Sequence, residues 1–184
     1  MEALAKVTRT EAEVAQEYDG GAARDDFRAP GDFNTFAFAV DPRGRLAWTT
    51  NDIDGDHVVA VLSARVSDEY LGSLRDCGVS YLLADEREID LGLAMERIGT
   101  FFGVRTLLLE GGGEINGRML RAGLIDELSL LIAPVADGRV DSPSVFGGGS
   151  DGFDPRALRL ESLERRDDGV VWLRYLVGRP VQKS

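Results

Sequence analysis

Hydrophobic and polar positions repeat with two different periods along this chain, and the period changes mark its elements. Residues 10–18, TEAEVAQEY, carry helical spacing, with Thr10 placed as N-cap and Glu13 completing a capping box. Residues 19–33 are rich in charge and turn formers and read as a loop. NTFAFAVD (34–41) alternates and is aromatic, which predicts a strand; PRG follows as a turn and RLAWTT (45–50) as a second short strand. His57–Leu62 is a continuous apolar run of the kind buried on both faces. Residues 67–77 predict a helix: Ser67 is the N-cap, Tyr70, Leu71 and Leu74 share a face, and Gly78 stands just past the end. VSYLLA opens a strand over 79–83. The segment 90–102 is a helix with Leu91, Ala94, Ile98 and Phe102 on one face and Gly103 as its stop. A strand over 104–110, a helix over 114–122 ending at Gly123, and a strand over 126–133 complete the middle. ALRLESLERR and VVWLRYLV are both strand-like and flank Asp168–Gly169, a dipeptide favoured in tight antiparallel hairpins. The glycine-rich stretch between Pro134 and Phe153 reads as a long loop beside whatever the sheet binds.

Alternating strands and helices give a parallel sheet with helices across its faces. The expected fold is therefore a three-layer α/β/α domain with a mostly parallel central sheet and a C-terminal antiparallel hairpin. A single domain is expected over 1–184, with 1–33 as helix-and-loop lead-in and 34–178 as core.

Composition narrows the function classes. The chain has 184 residues, 43% of them hydrophobic, enough for one well-filled core. No stretch reaches the roughly 18 to 20 apolar residues of a membrane span, and the N-terminus lacks a basic-then-apolar leader pattern. A soluble, cytoplasmic protein is the expectation. With 21 basic and 32 acidic residues the net charge is −11. Most of the surface then repels a polyanion, which argues against nucleic acid, whereas a local cluster of N–H groups and arginines still suits a small anion. Cys77 alone makes no internal disulfide or zinc cluster and reads as filler at a helix end. His57, the one histidine, opens a strand as a strand-edge residue without partners for a metal, so no metal site is expected.

The chemistry concentrates in TLLLEGGGEINGRMLRAG (106–123). Glycine triplets are entropically costly. Here the triplet Gly111, Gly112 and Gly113 follows Glu110 at the carboxyl end of an expected strand, where ligands bind in open parallel sheets. The helix beginning near Glu114 and Ile115 offers free N–H groups and a positive dipole end, so a phosphate or pyrophosphate fits; a tight ligand-free turn explains the glycines equally well. The spacing matches neither G-x-G-x-x-G nor a Walker loop. Ser63 and Arg65 follow another strand directly. An arginine there suits a 2′-phosphate, or is simply solvated and paired with Asp68 or Glu69. Asp126 and Glu127 are either a paired-carboxylate site or an aid to the turn from helix to strand. Trp48 and Trp172 lie in strand contexts suited to capping a core or a dimer face.

LLLEGGGEINGRMLRAGLIDELSLLIAP resembles the C-terminal signature of RibD-type pyrimidine reductases, members of the dihydrofolate reductase-like superfamily. GRLAW, VVAVLS, GVSYLLA, the SVFGG loop and the VWLRY strand fall in the family's order, so the resemblance covers 34–178. It implies a dihydrofolate reductase-like fold and NADPH as cofactor. The pyrophosphate would lie on Gly111, Gly112, Gly113 and the helix start at Glu114 and Ile115. The 2′-phosphate would lie near Ser63 and Arg65, and Glu110 would face the substrate. It further implies hydride transfer to a ribosylamino-pyrimidine phosphate, the riboflavin-biosynthesis step, or to a pterin-like substrate. It also implies a homodimer formed through sheet strands and a cis bond at Gly111–Gly112. No general acid or base is assigned.

The resemblance stops short at the front. The family opens with a strand, an S-x-D-G-x-I loop, a helix and a strand ending in Gly-Arg-x-T, and none of these occurs here. Three expectations follow: a start upstream of Met1, a truncated paralogue that dimerises without catalysing, or a dimer partner covering the gap.

Overall fold

The computed structural model describes residues 24–86, 89–138, 142–147 and 155–180. The helix expected over 10–18 and parts of the 134–153 loop lie outside them. The chain forms two compact units, divided between Leu108 and Leu109.

The first unit holds β1 (Phe36–Val40), β2 (Asp52–Ile53), β3 (Asp56–Leu62), α1 (Asp68–Asp76), β4 (Ser80–Leu83) and α2 (Leu91–Phe102). β3 pairs in parallel with β1 on one side and β4 on the other, while β2 pairs antiparallel with its first residues. The apolar run of β3 is buried on both faces, as its composition requires. Val58, Ala60 and Leu62 pack with Leu71 and Leu74 of α1, and with Val66, Val79, Tyr81 and Leu83. Val59 packs with Leu82 and with Ile98 and Phe102 of α2. Two helices on opposite faces of a parallel sheet are the three expected layers.

Local signals set the helix limits. Ser67 Oγ accepts the Tyr70 N–H at 3.1 Å, and Asp90 Oδ1 accepts that of Leu93 at 3.0 Å. Gly78 (φ 70°) and Gly103 (φ 73°) supply the left-handed residues that end α1 and α2. Leu91, Ala94, Ile98 and Phe102 are all buried, as their spacing predicts. Cys77 caps α1 and packs against the core, in the filler role expected of it.

The second unit holds α3 (Gly113–Ala122), β5 (Glu127–Ile132), β6 (Arg156–Arg165) and β7 (Val171–Pro180), with a fully antiparallel sheet in the order β5-β7-β6. α3 ends at Gly123, φ 72°. Trp172 sits on central β7 and donates its indole N–H to Ser129 Oγ at 2.8 Å.

Four expectations are corrected. Residues 104–110 form no strand: the segment has no ladder partner, and Leu108 is 76% exposed. An apolar run becomes a strand only when a neighbouring strand takes its N–H and C=O groups. Residues 45–50 are likewise irregular; the short antiparallel partner of β3 is Asp52–Ile53, set by a turn in which Gly55 N–H donates to Asp52 Oδ1 at 3.2 Å. The parallel sheet is confined to β1, β3 and β4, and β5 joins β7 in the antiparallel sheet instead. Finally, the β6–β7 hairpin is not a two-residue Asp-Gly turn. Arg166 N–H donates to Val170 O at 2.9 Å and Gly169 N–H to Arg166 O at 3.1 Å, and Gly169 (φ 83°) alone in this turn has positive φ. A two-residue type I′ turn needs positive φ at both central residues, so this is a three-residue loop closed by a left-handed glycine.

Candidate functional site

One candidate region, in the first unit, is the loop joining β3 to α1. Ser63 is buried: its hydroxyl donates to the Pro42 carbonyl at 2.7 Å and accepts the Arg65 N–H at 3.4 Å. It therefore ties the loop after β3 to the turn after β1. That turn is braced in its own right. The buried Asp41 carboxylate accepts the Leu46 N–H at 2.9 Å and the Tyr70 hydroxyl at 3.3 Å. Burial, with the Asp41 charge adding to it, pushes the Tyr70 hydroxyl pKa well up, so it stays a donor.

Arg65 projects from this braced loop and is exposed. The pairing with Asp68 that would make it an ordinary surface residue does not occur. Asp68 is held by Arg24 at 2.8 Å, and Arg65 has no ion-pair partner among the described residues.

A separate candidate region, in the second unit, is the turn into α3. The N-cap is Gly112, which gives no side-chain hydrogen bond, in contrast to Ser67 and Asp90 on the first two helices. The first N–H groups of α3, from Gly113 to Ile115, are therefore left for another acceptor. The three glycines have three different reasons to be glycine. A Cβ on Gly112 would meet nothing within 4 Å. One on Gly111 would fall 2.0 Å from Ile115 Cγ2, and one on Gly113 would fall 2.4 Å from the Ser144 carbonyl oxygen. The triplet thus serves both readings: Gly113 seats the 144–147 loop, and Gly112 leaves bare main chain at a helix start. Glu110 and Glu114 beside them are exposed.

The Gly111–Gly112 bond is trans, which corrects the expected cis bond. A non-proline cis bond costs ~3 kcal/mol and persists only where surroundings impose it; around Gly112 there is open space.

One other residue, His57, is placed differently from the sequence reading, and Glu127 and Asn116 gain definite partners. His57 is buried rather than at an edge, because β1 and β2 flank it on both sides; its Nε2 lies 2.7 Å from Ser80 Oγ and its ring stacks on Phe33. Glu127 forms no carboxylate pair with Asp126; it accepts the Arg174 Nε–H at 2.9 Å across the β5–β7 ladder. Asn116, given no role by the sequence, donates to the Val145 carbonyl at 3.0 Å and fixes the 144–147 loop. Gly117, a glycine inside a helix, is the local sign of that close approach.

A parallel α/β/α unit followed by a helix and an antiparallel three-stranded sheet defines the class: the fold is dihydrofolate reductase-like, as in RibD-type pyrimidine reductases. The sequence profile of the RibD C-terminal domain matches residues 9–172, and the chain belongs to that family. It is 32% identical over 136 residues to the 2,5-diamino-6-ribosylamino-4(3H)-pyrimidinone 5′-phosphate reductase of Methanothermobacter thermautotrophicus, covering 72% of this chain and 61% of that one. It is 27% identical over 139 residues to the protein of the same name from Archaeoglobus fulgidus, covering 75% and 61%. Among solved structures it is similar to a pyrimidine reductase-like protein of Corynebacterium diphtheriae (26% identity, TM-score 0.62, covering 77% and 60%). It shares its fold with Acinetobacter baumannii RibD (21% identity, TM-score 0.59, covering 76% and 37%). The chain thus spans about three fifths of the length of the curated relatives it matches. Among the described residues, no helix is long and apolar enough to cross a membrane.

Proposed function

We propose that this chain is a cytoplasmic, NADPH-dependent reductase acting on a pyrimidine of the ribosylamino-pyrimidine phosphate type, in riboflavin biosynthesis. The observation that carries the reading is the start of α3: an uncapped helix N-terminus behind a glycine whose Cβ position is open, in a chain of the RibD C-terminal family. Gly111, Gly112 and Gly113 with the N–H groups of Glu114 and Ile115 hold the pyrophosphate, where the helix dipole favours negative charge. Arg65 meets the 2′-phosphate as an uncommitted cation. Ser63, its hydroxyl hydrogen donated to Pro42, contributes by shaping the loop. Glu110, exposed beside the glycines, faces the substrate. The dinucleotide supplies the hydride when bound; the protein's part is orientation and electrostatics.

The test is a thermal or chemical denaturation shift with NADPH. At ~100 times its dissociation constant a ligand stabilises the folded state by roughly 2.7 kcal/mol. NADPH should shift the transition, and Arg65→Ala should weaken NADPH more than NADH. Absence of a shift at millimolar NADPH overturns the cofactor assignment, and equal losses for both cofactors remove Arg65 from its role.

A second reading is a non-catalytic dimerising paralogue of the same fold. It is favoured by β5, an edge strand that carries exposed Leu131 and Ile132. A dimer in sedimentation, with NADPH binding but no turnover of the pyrimidine, would select it.

A further inference from the structure

Arg24 makes three contacts to one short loop. Its Nη1 donates to the Ala64 carbonyl at 2.6 Å, its Nη2 donates to the Val66 carbonyl at 3.3 Å, and Nη2 also lies 2.8 Å from Asp68 Oδ1. The two carbonyls belong to the residues on either side of Arg65. The carboxylate is the one that stands three positions after Arg65, at the start of α1. One guanidinium therefore fixes the backbone that presents Arg65 and occupies the acid nearest to it in sequence. A planar fork with five N–H donors can do this; a point charge cannot satisfy both carbonyls and the carboxylate.

We propose that Arg24 is a positioning residue that sets the preference for a 2′-phosphorylated dinucleotide, by locking the 64–66 backbone and holding Asp68 away from Arg65. The proposal rests on Arg65 being the 2′-phosphate contact. Without Arg24, two things change together. The carbonyls of Ala64 and Val66 lose their common anchor, so the loop samples other directions for Arg65. The Asp68 carboxylate is released into reach of Arg65, where it competes with the phosphate for the same cation. Both effects weaken a ligand that carries the 2′-phosphate and spare one that lacks it. Arg24 has no sequence signature, because its partners lie 40 to 44 positions away.

The experiment measures dissociation constants of the full chain for NADPH and NADH, and for adenosine 2′,5′-bisphosphate and AMP. The variants are Arg24→Ala, Arg65→Ala, Asp68→Asn and the Arg24→Ala/Asp68→Asn pair. Arg24→Ala should lower the NADPH-to-NADH affinity ratio roughly three- to fivefold, the size expected of an exposed ion pair, and lower the bisphosphate-to-AMP ratio in step. Adding Asp68→Asn should restore most of the ratio, a rescue that a merely structural strap would not give. Should Arg24→Ala fail to fold, Arg24→Lys keeps a cation beside Asp68 while giving up the fork, and should lose part of the ratio. A ratio unchanged in the Arg24 variant that folds, with Arg65→Ala still collapsing it, overturns the proposal and leaves the cofactor assignment standing. A wild-type chain without preference for NADPH, or equal losses of both cofactors in Arg65→Ala, removes Arg65 from the 2′-phosphate contact and this proposal with it, while a wild-type chain that does not bind NADPH overturns the cofactor assignment itself.

Discussion

The main-chain N–H of Gly147 donates to the carbonyl of Gly113 at 2.6 Å, so the loop over residues 144–147 rests directly on the first turn of α3. Nothing larger than hydrogen fits at two positions on that helix. A Cβ on Gly113 would lie 2.4 Å from Ser144 O, and one on Gly117 would lie 1.9 Å from Gly147 O. Both obstacles are backbone and cannot rotate aside.

Gly113→Ala and Gly117→Ala should therefore destabilise the protein by about 1–3 kcal/mol, the usual cost of forcing atoms into a filled site. In an open helix the same change would gain ~1 kcal/mol from propensity. Gly112→Ala should cost no more than about 1 kcal/mol, the N-cap preference of glycine over alanine, since its Cβ meets nothing. Urea titration of the three variants reads the contrast directly. A Gly117→Ala protein as stable as the parent would show that the loop does not sit on α3 in solution.

The same glycine separates packing from binding. Gly112→Leu should remove the NADPH-induced shift, because a large side chain at the N-cap would stand where an anion approaches the free N–H groups; urea denaturation without ligand reads separately what the substitution costs the fold. If NADPH still protects this variant, the pyrophosphate lies elsewhere.

Local chemistry was legible wherever a residue's neighbours in sequence decide its state. Ser67 and Gly103 marked helix ends, and Leu91, Ala94, Ile98 and Phe102 marked a buried face, because periodicity and capping act within a few residues. Residues 104–110 show the limit. Their apolar pattern describes a strand well, but a ladder needs a second strand, and pairing is not written in one segment. The stretch from Arg24 to Ala29 shows it from the other side. It reads as a charged loop, yet Phe27 exchanges two 2.9 Å hydrogen bonds with Tyr81, and Asp26 accepts both the Leu83 N–H and the Arg97 guanidinium at 2.9 Å. Those contacts join positions more than 50 apart. Of the proposed cofactor contacts, the bare glycine and the exposed arginine were visible as residue types. What holds them, the 144–147 loop and Arg24, was visible only in three dimensions.

Tyr70 offers a test of the bracing behind Ser63. Its hydroxyl donates to the Leu46 carbonyl at 2.9 Å and sits 3.3 Å from Asp41 Oδ2. Tyr70→Phe keeps the ring and removes the donor. It should cost about 1–3 kcal/mol, because a half-buried carbonyl and a buried carboxylate lose a partner together. The loss should show in urea denaturation. A stability change below about 0.5 kcal/mol would mean that water replaces the hydroxyl there without cost.

His57 makes stability depend on pH in a defined direction. Burial is the main cause lowering its pKa below 6.5, and the positive charge of Arg28 lowers it further; the Asn51 backbone and Asp52 oppose them. In the unfolded chain the imidazole titrates near its ordinary value of 6.5. Above that value the ring is neutral in both states, and His57 makes no pH-dependent contribution. As pH falls below 6.5 the unfolded chain takes up a proton that the folded chain refuses. Stability from this group then declines by at most about 1.4 kcal/mol per pH unit, until the lowered folded pKa is reached. Carboxylates also lose their native partners in acid, so the histidine's share is the difference between wild type and His57→Gln. Urea stabilities at pH 7.5, 6.5 and 5.5 should fall more steeply for wild type than for the variant, with the two slopes diverging only below pH 6.5. Parallel slopes would mean that the imidazole takes up its proton equally well in the folded protein, contrary to the burial found for the ring.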